Sequence, residues 1–148
     1  DNWIEKITTL SEGKEFHDII NIYIERARQV KISTAGMNEF AERKFIVERK
    51  MGKDLIRMAK TGEREIRGGD KKSKLMSSTL KLSDLGINKD QSFRYQLLSR
   101  LPVDKFNEYI INTKKKQEQI AWTELRNITK KYLKETEKEK VNELRQGQ

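Results

Sequence analysis

The sequence predicts an all-α protein, a helical bundle that contains a helix-turn-helix and ends in a long C-terminal helix. Three observations support this fold class. Apolar residues recur at three- and four-residue steps along much of the 148-residue chain. A Leu-Gly-Ile-Asn turn at residues 85–88 separates two such segments. Hydrophobic residues make up 34% of the chain and charged residues 37%, so a modest core must lie within a large exposed helix surface.

Composition also narrows the class of partner. The 32 Lys and Arg exceed the 23 Asp and Glu, and the net charge of +9 favours a polyanion. Nucleic acid is the first candidate and an anionic membrane surface the second, while a charge that only keeps the protein soluble is the alternative. The chain has no Cys, no apolar run of the roughly 20 residues that span a bilayer, and no signal-peptide pattern at its start. We therefore expect no membrane association and an intracellular location.

Residues 1–60 predict an N-terminal helical hairpin region. Apolar side chains at helical spacing indicate a first short helix that Gly13 interrupts. Two longer amphipathic helices follow, one over about residues 14–31 and one ending near residue 60. Gly52 lies inside the second of them, where it costs about 1 kcal/mol relative to Ala, so we expect it to contact a neighbouring helix closely.

The composition changes abruptly at residues 61–78, where glycines alternate with charged residues. No helical or strand periodicity is present in this segment. Because it lacks the apolar area that would offset the entropy of ordering it, we predict a flexible basic linker or loop.

Residues 79–113 predict the helix-turn-helix unit. Gly86 is expected to end a first short helix in the left-handed conformation. Asn88 and Gln91 have the spacing of a capping box, so a second helix should begin there. Three-residue steps assign Ser92, Tyr95 and Leu98 to the inward face of that helix. A bundle in which a similar turn merely joins two helices is the alternative.

The second helix, residues 89–100, is expected to enter the major groove, because polar and basic side chains cluster at its start. The base-reading candidates on its outward face, to which Leu97 is also assigned, are Lys89, Gln91, Phe93 and Arg94. Basic side chains suit guanine edges or phosphates, and Gln suits adenine. Candidates for contacts to the DNA backbone are Lys81, Arg100, Lys114, Lys115 and Lys116. For the lysine run, a solvent-exposed stretch is an equally good interpretation.

Pro102 should end the second helix and begin a third, because proline disfavours helical geometry in the residue before it. Residues 114–148 then predict a C-terminal helix and possible dimerisation element. Its apolar seam comprises Ala121, Trp122, Leu125, Ile128 and Tyr132. The seam can fold back on the N-terminal helices, or it can pair with its copy in a homodimer, which suits two recognition helices addressing half-sites about one DNA turn apart.

Residues with catalytic or metal-binding patterns are not found. No glycine-rich phosphate loop is present. His17 is the only histidine, so a multi-histidine metal site cannot form in one chain, and we expect this residue on a helix surface. Glu48 and Arg49 are assigned to the polar face of their helix. We therefore predict no enzyme activity, no cofactor and no metal.

The segment from Leu82 to Leu98, followed by Leu101-Pro102 and Phe106, resembles the helix-turn-helix of small proteins carried by phages, prophages and integrative elements. Those proteins have a comparable Leu-Gly-Ile, Gln-Ser, aromatic-Gln and Pro…Phe pattern. More distantly, the segment resembles the ParB-type partition proteins, where a Gly-Ile-Ser helix-turn-helix precedes a Leu-Pro step. Residues 41–55 are similar to the helical segment before the motif in the mobile-element proteins, so the resemblance covers about residues 20–110.

The resemblance implies binding to double-stranded DNA by Lys89, Gln91, Phe93 and Arg94, with a regulatory or partition role on a mobile genome. Phe93 departs from the small or polar residue that is more usual at its position. No ParB-like CTP-binding motif is visible, so nucleotide chemistry is not carried over. A phage-encoded module that binds and inhibits a host protein is the rival interpretation, because helix-turn-helix folds are also used as protein-binding surfaces.

Overall fold

A computed structural model describes residues 2–64 and 81–147. All the elements in these ranges are helical, which confirms the all-α class, and none of the helices described is long and apolar enough to cross a membrane. The last helix has 25 residues, so the long C-terminal helix is also confirmed. In chain order the elements are a first 3-10 turn Trp3–Lys6, α1 Leu10–Gln29, α2 Thr34–Thr61, a second 3-10 turn Leu82–Leu85, α3 Lys89–Ser99, α4 Val103–Lys115 and α5 Trp122–Gln146.

The first helix, α1, packs along α2. The prediction that Gly13 interrupts an N-terminal helix is wrong, because α1 begins at Leu10 and continues through Gly13. A Cβ atom on Gly13 would lie 2.9 Å from Met51 Cγ. The glycine therefore allows α1 to approach α2 closely at a point where a side chain would need Met51 to move.

The structure does not show the predicted helix-turn-helix. The described residues before Gly86 form a four-residue 3-10 turn, Leu82–Leu85, where a first helix was expected. The turn itself follows the prediction, since Gly86 has φ 74°. The capping box is confirmed: Asn88 Oδ1 accepts from Gln91 N at 2.8 Å, and Gln91 Oε1 accepts from Asn88 N at 2.9 Å.

α3 packs tightly on α2 at Gly52. A Cβ atom there would lie 1.9 Å from Tyr95 O and 2.9 Å from Ser99 Cβ, which confirms the close contact predicted for this glycine. The inward face is also confirmed, because Ser92, Tyr95 and Leu98 are all buried. The assignment of Leu97 to the outward face is wrong, since this side chain is buried as well.

Two clusters of apolar side chains form the core. The first joins α1, α2 and α3 and includes Ile20, Leu55 and Tyr95. The second joins α2, α3, α4 and α5, with Phe106 and Leu125 among its fully buried members. Pro102 is the N-cap of α4, as its sequence position predicts. The helix after the proline therefore shares its core with α2 and α5.

The predicted dimer seam lies against this second cluster of the same chain. Leu125 is fully buried, while Trp122, Ile128 and Tyr132 are half-buried against the cluster and Ala121 caps the start of α5. In this fold the seam is folded back on its own chain, which is one of the two predicted alternatives. Pairing of the seam with its copy in a homodimer stays a prediction.

The predicted linker, residues 61–78, lies mostly outside the described residues. Its first residue, Thr61, ends α2, and Gly62 follows in the left-handed conformation with φ 78°. This is the usual way for a helix to end.

Candidate nucleic-acid interface

One stripe of α3 faces solvent. Lys89, Phe93 and Arg100 are separated by four and seven residues, which places them on one side of the helix. All three are exposed, and Phe93 is 65% exposed. Gln96 lies between them but is half-buried, with its amide nitrogen 2.9 Å from Ser92 Oγ. We call Lys89, Phe93 and Arg100 the α3 stripe: an aromatic ring between two cations.

The α3 stripe ends at a basic pocket of about 390 Å³, which we call the Arg100 pocket. The last turns of α2 supply its other cations, Lys53, Arg57 and Lys60, at helical steps of four and three. Arg57 donates to Glu63 Oε1 at 3.1 Å. The other three cations form no ion pair within residues 2–64 and 81–147. The pocket thus keeps a concentration of positive charge suited to a phosphate group.

The Gln91 side chain is committed to the start of α3. Its Oε1 atom accepts from the backbone amide of Asn88 in the capping box. Reading adenine needs both the oxygen and the nitrogen of the amide in a bidentate contact. If Gln91 made such a contact to a base, its hydrogen bond to the Asn88 backbone amide in the capping box would be lost.

Arg94 does not lie on the outward face, so this part of the prediction is wrong. Its Nε atom donates to Glu48 Oε1 at 3.0 Å and its Nη2 atom to Glu48 Oε2 at 3.2 Å. The guanidinium carbon lies 4.7 Å from the Trp122 ring centroid and 5.7 Å from that of Phe45. The reason for the inward orientation is the Glu48 carboxylate, which is fully buried and needs a cationic partner.

Glu48 has a second partner in His17. His17 Nε2 lies 2.9 Å from Glu48 Oε2, and the imidazole packs edge-on against the Tyr95 ring at 5.5 Å. The expectations of a surface His17 and of an exposed Glu48 are both wrong, since both residues are buried. Burial raises the pKa of the Tyr95 hydroxyl, and the charge of Glu48 adds to this shift. One carboxylate therefore connects α1, α2 and α3.

Arg49 is also buried, contrary to its assignment to a polar face. Its Nη1 atom donates to the carbonyl oxygens of Leu98 at 3.0 Å and Leu101 at 2.6 Å. Its guanidinium lies 4.9 Å above the Phe106 ring, and burial lowers its pKa. Arg49 thus adds a buried donor to the Leu98 carbonyl, which also accepts from Leu101 N at 3.2 Å, and to the Leu101 carbonyl just after α3.

The candidates for DNA backbone contacts differ in their surroundings. Lys81, Lys115 and Lys116 are exposed and form no ion pair with the rest of the described chain. Lys114 Nζ lies 2.6 Å from Glu42 Oε1 and 3.1 Å from Glu39 Oε1. The hydrogen bond from Glu42 raises the pKa of Lys114. Two carboxylates therefore already neutralise this lysine.

Metal ligands are not gathered anywhere in the described ranges, which contain no group of three His, Asp or Glu side chains that could hold an ion. Comparisons of the chain with protein-family models, with curated proteins and with solved structures found no match. The function is therefore inferred from the chain's own residues.

Proposed function

We propose that this chain is a sequence-specific double-stranded DNA-binding protein of a phage or other mobile element, with a regulatory and non-enzymatic role. The observation that carries the proposal is the α3 stripe and its continuation into the Arg100 pocket. Together they place Lys89, Arg100, Lys53 and Lys60 on one surface without ion-pair partners among the described residues. Such a surface suits the phosphate backbone of a duplex.

α3 is the element that enters the major groove. Lys89 lies in its first turn, where side chains meet base edges, and its ammonium group suits the O6 and N7 atoms of guanine. Phe93 lies one turn later and offers an apolar contact to a thymine methyl group. Arg100 and the cations of the Arg100 pocket contact phosphates and so fix the orientation of the helix.

Two further features support this assignment. The net charge of +9 favours a polyanionic partner. Residues 82–106 resemble the helix-turn-helix of phage and mobile-element proteins. A homodimer would bring two copies of α3 to neighbouring half-sites, and binding of this kind needs no cofactor. The place of action is then the cytoplasm of the bacterial host, where such DNA resides.

The test is equilibrium binding of a fluorescent random-sequence duplex, measured by anisotropy. We expect the parent to bind and the Lys89→Ala and Arg100→Ala variants each to bind about 5- to 30-fold more weakly, because a charge-assisted phosphate or base contact is worth about 1–2 kcal/mol. Lys140→Ala is the matched control, since it removes an exposed lysine from the last turns of α5. A parent without affinity, or α3 variants that bind like the control, would refute the proposal.

A protein-binding module is the second candidate, and one observation favours it. Three large apolar side chains on one region of α1 are exposed, Ile19, Ile22 and Tyr23. Phe93 on α3 is exposed as well, and aromatic side chains of this kind are common in protein interfaces. If the duplex assay shows no affinity, an inhibitor that binds a host protein becomes the better interpretation.

A further inference from the structure

A second pocket, of about 490 Å³, lies between the end of α1, the first half of α2 and residues 119–122. We call it the Lys44 pocket. Its charged lining residues are all cationic: Arg28, Lys31, Lys44 and Arg94. None of its lining residues belongs to the α3 stripe or to the Arg100 pocket, so it is a separate site.

The charge inside the Lys44 pocket is only partly balanced. Arg94 is paired with Glu48, and Arg28 Nη1 lies 3.5 Å from Glu25 Oε2. Lys31 and Lys44 have no ion-pair partner in the described part of the chain. Burial is the main cause that lowers the pKa of Lys44. The negative charge of Glu48 raises this pKa, and the positive charges of Arg94 and Arg28 lower it. The excess of two positive charges matches the charge of one phosphate monoester, about −1.5 to −2 near neutral pH.

The segment 118–121, which includes the lining residues 119–121, is held in place by side chains of α2 and α4. The amide of the buried Asn38 donates to Glu118 O at 2.8 Å and accepts from Ile120 N at 2.9 Å. Tyr109 Oη accepts from Ala121 N at 3.0 Å. Because three hydrogen bonds, one of them buried, fix this segment, the pocket is formed before any ligand arrives.

The opposite wall has an unusual residue at the end of α1. Lys31 has φ 54°, the left-handed conformation that glycine normally supplies after a helix. Hydrogen bonds from Lys31 N to Arg28 O and from Ile32 N to Ala27 O complete the Schellman motif. A lysine that accepts this backbone cost at a pocket edge indicates a use for its side chain.

Apolar and aromatic side chains complete the lining. Ile24 and Ile120 are buried members of the two core clusters, and Phe45 and Trp122 flank the guanidinium of Arg94. The volume lies within the range of about 300–1,000 Å³ that holds small organic ligands. A ligand that fits both halves of the lining has an anionic group and a ring.

We propose that the Lys44 pocket binds a small phosphate monoester that carries an aromatic ring and has the size of a mononucleotide. Lys31 and Lys44 pair with the phosphate, and the ring packs on the apolar side formed by Ile120 and Trp122. The site does not depend on the proposed DNA surface, because the two share no lining residue.

The test is isothermal titration of the full chain with adenosine monophosphate, adenosine and inorganic phosphate as separate probes. We expect saturable binding of the monophosphate at one site, and binding at least about tenfold weaker for each of the two fragments, because each lacks half of the contacts. Lys44→Gln and Lys31→Gly should each weaken monophosphate binding by about tenfold or more. Lys115→Gln, which removes an exposed lysine outside the pocket, should leave it unchanged.

Lys31→Gly guards against a loss of binding through misfolding, because glycine is the preferred residue at φ 54°. Its melting curve should match or exceed that of the parent. Adenosine monophosphate that shows no saturable binding, that binds no better than adenosine, or that binds either pocket variant with the parent's affinity would overturn the proposal. Lys89→Ala should bind the monophosphate like the parent, which separates this site from the DNA surface.

Discussion

The Glu48 carboxylate accepts two hydrogen bonds from Arg94, at 3.0 and 3.2 Å, although it is fully buried. The pair joins α2 to α3, and His17 adds α1 through the same carboxylate. The position of α3 on the bundle therefore depends on an ionic contact in its middle. The α3 stripe lies on the other side of α3. The Glu48–Arg94 ion pair therefore also determines how Lys89 and Phe93 are presented to a binding partner.

Replacement of Glu48 by Ala should destabilise the fold strongly. The free energy of unfolding should fall by about 3–5 kcal/mol, because Arg94 and His17 lose their shared buried partner. Urea denaturation followed by circular dichroism measures this change. Glu39→Ala removes an exposed carboxylate that pairs with Lys114, and it should cost no more than about 1 kcal/mol. Equal costs for the two variants would show that the buried pair does not hold α3.

Replacement of Gly52 by Ala should also destabilise, although Ala normally stabilises a helix interior by about 1 kcal/mol relative to Gly. The new Cβ atom would lie 1.9 Å from Tyr95 O, so the α3 backbone must move. We expect a loss of about 1–3 kcal/mol or more in the free energy of unfolding. Gly36→Ala is the control in the same helix, where the nearest atom is the flexible end of the Ile32 side chain at 3.0 Å. A stabilising Gly52→Ala would contradict the observed packing.

Stability should fall at alkaline pH because of Tyr95. Burial holds the pKa of this hydroxyl above its ordinary value of about 10, so the folded state keeps a proton that the unfolded state loses. The contribution of the protonated Tyr95 hydroxyl to the free energy of unfolding is fully present below about pH 10. It decreases as the pH rises toward the folded-state pKa. Between about pH 10 and 12, the parent should lose up to about 1.4 kcal/mol more per pH unit than Tyr95→Phe. Urea denaturation at several pH values measures these losses. If the parent and Tyr95→Phe lose the same stability as the pH rises, Tyr95 is not the cause.

Two truncated chains test which half of α5 the fold needs. A chain that ends at Lys116 lacks Leu125 and Ile128, so the second core cluster opens and cooperative thermal unfolding should be lost. A chain that ends at Glu137 lacks residues 138–148, and residues 138–147 are all exposed. Its free energy of unfolding should change by less than about 0.5 kcal/mol. A stable, cooperative chain ending at Lys116 would show that the seam is not folded back.

Local rules predicted the parts of the fold that depend on neighbours in sequence. The capping box at Asn88 and Gln91, the left-handed Gly86 and the helix start at Pro102 each involve residues within a few positions of one another. The close contact at Gly52 was also predictable, because a glycine in the middle of a helix is usually explained by close packing against a neighbouring helix. The first helix of the expected helix-turn-helix was not found, since the described part of that segment is only four residues of 3-10 turn.

Contacts between distant residues were beyond these rules. His17 and Glu48 are 31 positions apart, and Glu48 and Arg94 are 46 apart. Periodicity assigned Glu48 to a polar face because it classifies each residue by its own type. One available signal was missed: His17 is four residues after Gly13 and three before Ile20, so it lies on the buried stripe of α1. The Lys53 and Lys60 side of the Arg100 pocket was missed because α2 and α3 meet only in three dimensions.

The same limit explains the seam of α5. Apolar steps show that Leu125 and Tyr132 need burial, but they do not say which chain provides the partner. The second cluster provides it within the chain. For the candidate site, the exposed positions of Lys89 and Phe93 agree with their assignment to the outward face, whereas Arg94 is drawn inward by a carboxylate 46 residues away.

The salt dependence of duplex binding tests DNA recognition by α3 most directly. The logarithm of the association constant should fall linearly with the logarithm of salt concentration, because each neutralised phosphate releases counterions. In the triple variant Lys53→Ala, Lys89→Ala, Arg100→Ala, the slope should be shallower by about 0.9 per lost phosphate contact, or about 2 in total for the phosphate contacts of Lys53 and Arg100. An affinity that does not change with salt, or a triple variant with the parent's slope, would contradict DNA binding by this surface.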